Sequence, residues 1–209
     1  EGVELSAVLE SARQVSGDFY DAFLLSEHGA IFFAVGDVCD KGVGAALYMA
    51  LFRSLMRASA DPKLGGSVLL PGTRQSAAFR ALASESLESL LTRVASFTND
   101  YIADVHGHAN MFATAFFGAI LPDTGVVEYV NAGHEPSLHV RTTGQIDELV
   151  PTGPALGLMP DATFSVGECV LEPNEILLAF TDGTIEARNA NGEPFPSRDR
   201  GRGVVVQRV

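Results

Sequence analysis

Tryptophan is absent from the chain, and cysteine occurs only as Cys39 and Cys169. Two thiols are too few for a disulfide framework and lack the paired spacing of a zinc site, so both are expected to be reduced, buried residues. Positive charge is scarce as well: 14 Lys and Arg face 26 Asp and Glu, a formal net charge of -12. An anionic surface repels the phosphate backbone and anionic lipid alike, which argues against nucleic acid as a partner and favours an acidic metal site. No apolar run reaches bilayer-spanning length, and Glu1-Gly2-Val3-Glu4-Leu5 has neither a basic start nor an apolar signal core. No membrane segment is therefore expected within the chain, and a cytoplasmic location is. No methionine opens it, which leaves room for an upstream sensor domain; a homodimer is equally compatible with the sequence.

What is present is apolar supply. The 209 residues are 46% hydrophobic and 19% charged, enough for one sizeable core in one compact domain. Asp18 to Ser26 and Ile31 to Val35 are apolar, aromatic-rich runs separated by Glu27-His28-Gly29-Ala30, which reads as a hairpin with residue 37 just past a strand end. From Val43 the period changes: Leu47, Leu51 and Leu55 mark a helix that Asp61-Pro62 stops. Lys63 to Gln75 reads as a surface loop, and the stretch from Asp61 to Ala83 as a long connection that could dock substrate. Leu87, Leu90, Leu91, Val94, Phe97, Tyr101 and Ile102 mark a second amphipathic helix. Strands follow at Met111 to Ile120, Val126 to Asn131, Ser137 to Arg141, Phe164 to Leu171 and Ile176 to Thr181, separated by turn residues. Hairpin-linked strands beside two long helices predict an α+β layered domain of antiparallel sheets with helices outside.

Aspartates or a histidine stand beside glycine at four predicted strand ends: Ser16-Gly17-Asp18-Phe19-Tyr20-Asp21, Gly36-Asp37-Val38-Cys39-Asp40, Asn131-Ala132-Gly133-His134 and Thr181-Asp182-Gly183. Each Asp-Gly alone is an ordinary turn. Several carboxylates converging at one end of a sheet would repel one another unless cations sat between them, and oxygen-only ligands suit Mg(II) or Mn(II). Neither cysteine lies in a phosphate-cradling loop. Lys41-Gly42-Val43-Gly44-Ala45-Ala46 opens the first helix and could present N–H groups to an anion, or its small residues could merely let the helix approach the sheet. It lacks the Lys-Ser/Thr pair of a Walker loop. His106 and His108 flank Gly107 in what reads as a solvated loop.

The order and wording of these segments resemble the SpoIIE-like, RsbU-like branch of the PPM phosphatases, the bacterial relatives of protein phosphatase type two C. Met111-Phe112-Ala113-Thr114, Asn131-Ala132-Gly133-His134-Glu135-Pro136, Leu156-Gly157-Leu158 and Thr181-Asp182-Gly183-Thr184-Ile185-Glu186 agree in order with the two earlier Asp segments, from about Val3 to Phe195. The resemblance implies a layered α-β-β-α sandwich and a serine/threonine protein phosphatase with two Mn(II) or Mg(II) ions. Asp37 would bridge the metals, the Val38 carbonyl would bind one and Asp182 the other. Asp18, or else Asp21, would act through water, and a metal-bridged hydroxide would attack phosphorus in line. Lys41, Gly42, Gly44, His134 and Gly183 are the candidate substrate-binding residues. The implied partner is a phosphorylated regulatory protein of the anti-sigma-factor-antagonist type.

The sequence departs from that pattern in two places. Many relatives carry Gly at the position of Asp40. At the other end, residues 1–195 form the expected phosphatase domain and 196–209 an atypical tail, where relatives carry a last strand with an Asp pair that supplies a metal ligand. Asp199 is the only carboxylate in that tail. The expectation is a fold lacking its C-terminal elements, a weak metal site and little activity, with a catalytically impaired partner-binding module as the competing function.

Overall fold

A computed structural model describes residues 2–9, 16–61 and 85–186, and the structural statements that follow concern those residues. Strand β1 (Phe19–Leu25) pairs antiparallel with β2 (Ala30–Val38), in register from Phe19↔Gly36 to Leu25↔Ala30. β2 runs further than its apolar stretch: Gly36, Asp37 and Val38 pair with Ala115, Thr114 and Ala113 of β3 (Ala113–Ile120). This corrects the placing of residue 37 beyond a strand. A Gly-Asp step that looks like a turn is held in the ladder because β3 supplies backbone partners up to Val38.

Helix α1 (Val43–Ala60) and helix α2 (Leu87–His106) pack together against one face of the sheet. Ser86 caps α2 by accepting the Ser89 N–H, which satisfies an otherwise unpaired donor of the first turn. The Leu47-Leu51-Leu55 spacing that marks α1 does not mark its most buried face: Leu51 and Leu55 pack against the core edge and Leu47 is 67% exposed, while Phe52 and Met56 are sealed. Phe52 and Met56 are one turn apart and enter the core as a pair; the leucines lie on the flank beside them.

The remaining strands are β4 (Val126–Ala132), β5 (Ser137–Val140), β6 (Ile146–Leu149), β7 (Gly167–Val170) and β8 (Ile176–Leu178), followed by the short helix α3 (Asp182–Glu186). They complete a five-stranded sheet in the order β1-β2-β3-β4-β7 and a three-stranded sheet in the order β6-β5-β8, with every pairing antiparallel. β6 is not legible in the sequence. It forms because a turn bonded from Gly144 N–H to the Arg141 carbonyl folds it back onto β5.

Two apolar layers follow from the alternation of strand side chains. Phe19, Phe32, Ala34 and Val38 face α1 and α2 together with Phe117 and Val130. Phe33, Phe116, Tyr129, Leu149, Cys169 and Leu177 fill the space between the two sheets. The architecture is thus the expected α+β stack of antiparallel sheets with helices outside. Among the described residues no helix is long and apolar enough to cross a membrane. The loop from Lys63 to Gln75, most of the connection from Asp61 to Ala83, and the tail 196–209 lie outside the described residues.

Candidate active site

Strand periodicity decides which carboxylates meet. In β2, Ala30, Phe32, Ala34, Gly36 and Val38 are buried towards the helices, so Asp37 points to the opposite face, at the end of the strand. Asp18 immediately precedes β1, whose Phe19 is buried on the helix side beside Gly36. The Asp18 carboxylate therefore emerges on the same side as Asp37, close enough to hydrogen-bond to it. Asp182, at the first position of α3, acts on Asp37 from across the gap, and Lys41 is the cation nearby. Burial, then Asp18, then Asp182 push the Asp37 carboxyl up to about 7, with Lys41 opposing. Three acids gathered around one lysine form a site whose charge is unbalanced.

Gly17 keeps this site open. A Cβ there would stand 2.7 Å from the Val38 carbonyl oxygen and 3.1 Å from Asp37 Oδ1, so a side chain at this position would fill the space in front of both donors. The Val38 side chain is buried towards the helices, leaving its carbonyl as its contribution here. An oxygen-only set of carboxylates and a carbonyl, mutually repulsive when ionised, has the chemistry that Mg(II) or Mn(II) accepts. The donors fit, yet the set is not closed: no group of three or more His, Cys, Asp or Glu among the described residues could hold a metal ion by itself.

Asp21 does not join them. It lies on the same face of β1 as Phe19 and points at α1, where it accepts hydrogen bonds from Arg57 Nε (2.8 Å) and Nη2 (2.6 Å), with Arg53 at 3.5 Å. This corrects the reading of Asp21 as an alternative metal ligand. Asp18 and Asp21 are three residues apart in extended chain and so face opposite ways, a parity the sequence itself contained.

Lys41 and Gly44 are exposed, and Gly42 turns the chain into α1 at φ +93°. A Cβ on Gly42 or Gly44 would meet nothing within 4 Å, so these glycines are not spacers for helix–sheet packing. Asp40 adopts φ +73° and accepts the Lys41 N–H at 2.7 Å. Its carboxylate is thereby turned to its own backbone at the surface. A left-handed non-glycine residue costs about 1 kcal/mol, which explains why Gly suits this position. Asp40→Ala is expected to lose roughly 1 kcal/mol in urea unfolding and Asp40→Gly to lose none; equal losses would contradict the strain argument.

Gly183 is exposed beside Asp182. His134, expected at the substrate, is instead 3% exposed. Its ring Nδ1 lies 2.9 Å from Thr114 Oγ1, and its backbone N–H donates to Asn131 Oδ1 at 2.8 Å. Burial holds the imidazole below its ordinary range, outweighing the opposing pull of the Phe180 backbone carbonyl and of the Asp18 and Asp182 charges. Thr114 closes the Met111-Phe112-Ala113-Thr114 segment, whose pattern alone assigns it no role. Only the β2–β3 register, which sets it opposite Asp37, brings it to the site. His106, read as part of a solvated loop, is instead the last residue of α2 and packs edge-on against Tyr48 at 5.5 Å between ring centroids. Cys39 and Cys169 are free and half-buried.

Two antiparallel sheets with helices outside and carboxylates gathered at the strand ends define a domain of the protein phosphatase type 2C class. Solved structures agree. The RsbU and RsbW domains of Rv1364c from Mycobacterium tuberculosis align with a TM-score of 0.60 at 26% identity, over 86% of this chain and 43% of that one. The catalytic domain of the serine/threonine phosphatase PstP, solved with two manganese ions, aligns with a TM-score of 0.51 over 83% of this chain and 74% of that one, and at 14% identity it speaks to the fold alone. Residues 27–206 match the family model described as Stage II sporulation protein E. The chain belongs to the SpoIIE family of PPM phosphatase domains. The match takes in residues 196–206, most of the stretch set apart as a tail.

Among curated proteins, Protein IcfG of Synechocystis sp. is 42% identical over 193 residues, covering 92% of this chain and 30% of IcfG. Phosphoserine phosphatase RsbU of Bacillus subtilis is 26% identical over 193 residues, covering 92% of this chain and 49% of RsbU. The chain thus spans less than half the length of either relative.

Proposed function

We propose that this chain is a metal-dependent protein serine/threonine phosphatase domain that hydrolyses phosphoserine or phosphothreonine on a regulatory partner, of the anti-sigma-factor-antagonist type. The observation that carries the reading is the convergence of Asp18, Asp37 and Asp182, which drives the Asp37 carboxyl up to about 7. Kinship with RsbU, a phosphoserine phosphatase, and the two manganese ions of PstP support it. Asp37, the Val38 carbonyl and Asp182 would hold two Mn(II) or Mg(II) ions, with Asp18 on the flank. Such ions supply charge neutralisation at phosphorus and activate water at neutral pH.

The chain's own residues set access and orientation. Gly17 leaves the space before Asp37 and Val38 clear. Lys41, exposed next to Asp37, is the positive group that meets an incoming phosphoryl dianion, and Gly42, Gly44 and Gly183 leave the approach unhindered. The net charge of -12 disfavours nucleic acid as substrate. A cytoplasmic partner protein fits this reading.

A second reading, a catalytically impaired module that binds the same partner, draws on the absence of a closed ligand set among the described residues. Phosphate release from a phosphoserine peptide, with and without Mn(II), separates the two. The enzyme reading expects Mn(II)-dependent turnover that Asp37→Ala abolishes. Equal rates for the two proteins would remove it.

A further inference from the structure

The two sides of the acidic cluster are built very differently. Asp37 is held in the ladder opposite Thr114 of β3, next to Gly36, the last residue of β2 that pairs with β1. Asp182 lies four residues beyond the end of β8, past Ala179, Phe180 and Thr181, which belong to no strand. Something other than a ladder has to set its distance from Asp37. The buried His134 ring stands by Thr114, whose Oγ1 is 2.9 Å from its Nδ1, and by the backbone of Phe180, two residues before Asp182.

The ring is itself held by a rigid corner. Asn131 Oδ1 accepts the backbone N–H of His134, while Asn131 Nδ2 donates to the Leu149 carbonyl at 3.1 Å, so this corner of the five-stranded sheet is tied to β6 of the other sheet. The Asn131 carbonyl accepts from Thr152 and Gly153. Gly133 turns at φ +65°, and a Cβ there would stand 2.9 Å from Ala155 N, so the turn needs glycine. If Thr114 Oγ1 donates to Nδ1, the proton of the neutral ring resides on Nε2, which is buried and has the Phe180 backbone nearby.

We infer that His134 is a positioning residue, a buried strut between the two sheets that holds the Asp182 segment at its working distance from Asp37, with Thr114 fixing the ring's tautomer. The inference rests on the phosphatase reading for its consequence, but its geometry can be tested apart from turnover. Ring tautomer is read first, by long-range proton–nitrogen NMR of the whole chain in chelator. Nε2–H is expected in the wild type and a mixture in Thr114→Val; Nδ1–H in the wild type would overturn the assignment.

Mn(II) binding is read next, by calorimetry. His134→Ala is expected to weaken it about 10–100-fold, in the range found when partners behind metal ligands are removed, and His134→Gln to recover most of the loss. At saturating Mn(II), KM for p-nitrophenyl phosphate stays within about twofold of wild type. A raised KM with unchanged Mn(II) affinity would make His134 a substrate contact and sink the strut. If His134→Ala fails to fold, His134→Gln and Thr114→Val carry the test, and wild-type affinity in Thr114→Val then counts against the proposal. Wild-type protein that takes up Mn(II) with the Nε2–H tautomer but releases no phosphate would remove the enzyme reading and leave the strut standing.

Discussion

Asp37→Asn is expected to abolish Mn(II)-dependent phosphate release, by at least about 10³-fold, and in chelator to make the protein more stable at alkaline pH. The first effect follows from removing the central carboxylate of a charge-neutralising metal site. The second follows from the same crowding. The Asp37 carboxyl titrates at about 7 in the folded protein, through burial first and then Asp18 and Asp182, against a model value of 3.8. A raised carboxyl pKa means that the folded state holds its proton more tightly than the unfolded state. The resulting stability is fully present below 3.8 and is lost as pH rises through about 7. Solvent screening at a half-buried group reduces the loss to on the order of 1–2 kcal/mol. Asn cannot ionise and escapes it. In EDTA at pH 8 the variant should melt about 2–8 °C above wild type, and the gap should shrink as pH falls through 5 and close only below 3.8. Loss of activity with no pH-dependent gap would show that Asp37 is not crowded by its neighbours.

Arg57→Ala carries the second large effect, and it concerns the core. Asp21 is 7% exposed and owes its charge to Arg57, whose guanidinium also lies 4.2 Å from the Phe23 ring centroid. Phe23 in turn stacks on Phe32 at 4.8 Å. Burial works against the ionised carboxylate, but the hydrogen bonds and charges of Arg57 and Arg53 win and hold Asp21 below the usual carboxylate range. The pair's stability is therefore present above the unfolded value of 3.8 and is lost as pH falls through the depressed folded value.

Removing Arg57 strands a buried charge, which costs about 3–5 kcal/mol when nothing replaces it. Arg53 remains and the Arg57 side chain is 38% exposed, so roughly 2–3 kcal/mol is expected in urea unfolding at pH 7. Arg57→Leu combined with Asp21→Leu should recover most of the loss, because two apolar groups fill the same space without an unpaired charge. A double variant as unstable as Arg57→Ala would mean that packing against Phe23, and not the ion pair, sets the cost.

These two aspartates show how far the sequence carries. Both sit in motifs that name a metal site, and both stand near strand ends, yet one serves the cluster and the other serves the core. The difference between Asp18 and Asp21 is strand parity, which was present in the sequence and needed only the alternation of β1 to be applied. Asp37 needed more, since its place inside β2 depends on β3, whose partner residues Ala113 to Ala115 lie far along the chain. The Leu47-Leu51-Leu55 stripe marked the helix Val43–Ala60 but not its most buried face, for a related reason. A helix with apolar residues on adjoining faces has no local signal for which face meets the sheet, and the neighbours Phe52 and Met56 won on packing.

By itself the sequence determined the family, the α+β class, most of the strands, both long helices and a set of carboxylates at strand ends, because each of these is written in short segments of fixed order and period. Tertiary structure alone decided that the Asp182 charge acts on Asp37, that Thr114 stands opposite Asp37, and that the His134 ring lies buried beside Thr114. Those facts depend on strand register and on the packing of one sheet on another, which bring together residues that no local pattern connects. The convergence of carboxylates that composition and motif foretold thus took its members from topology.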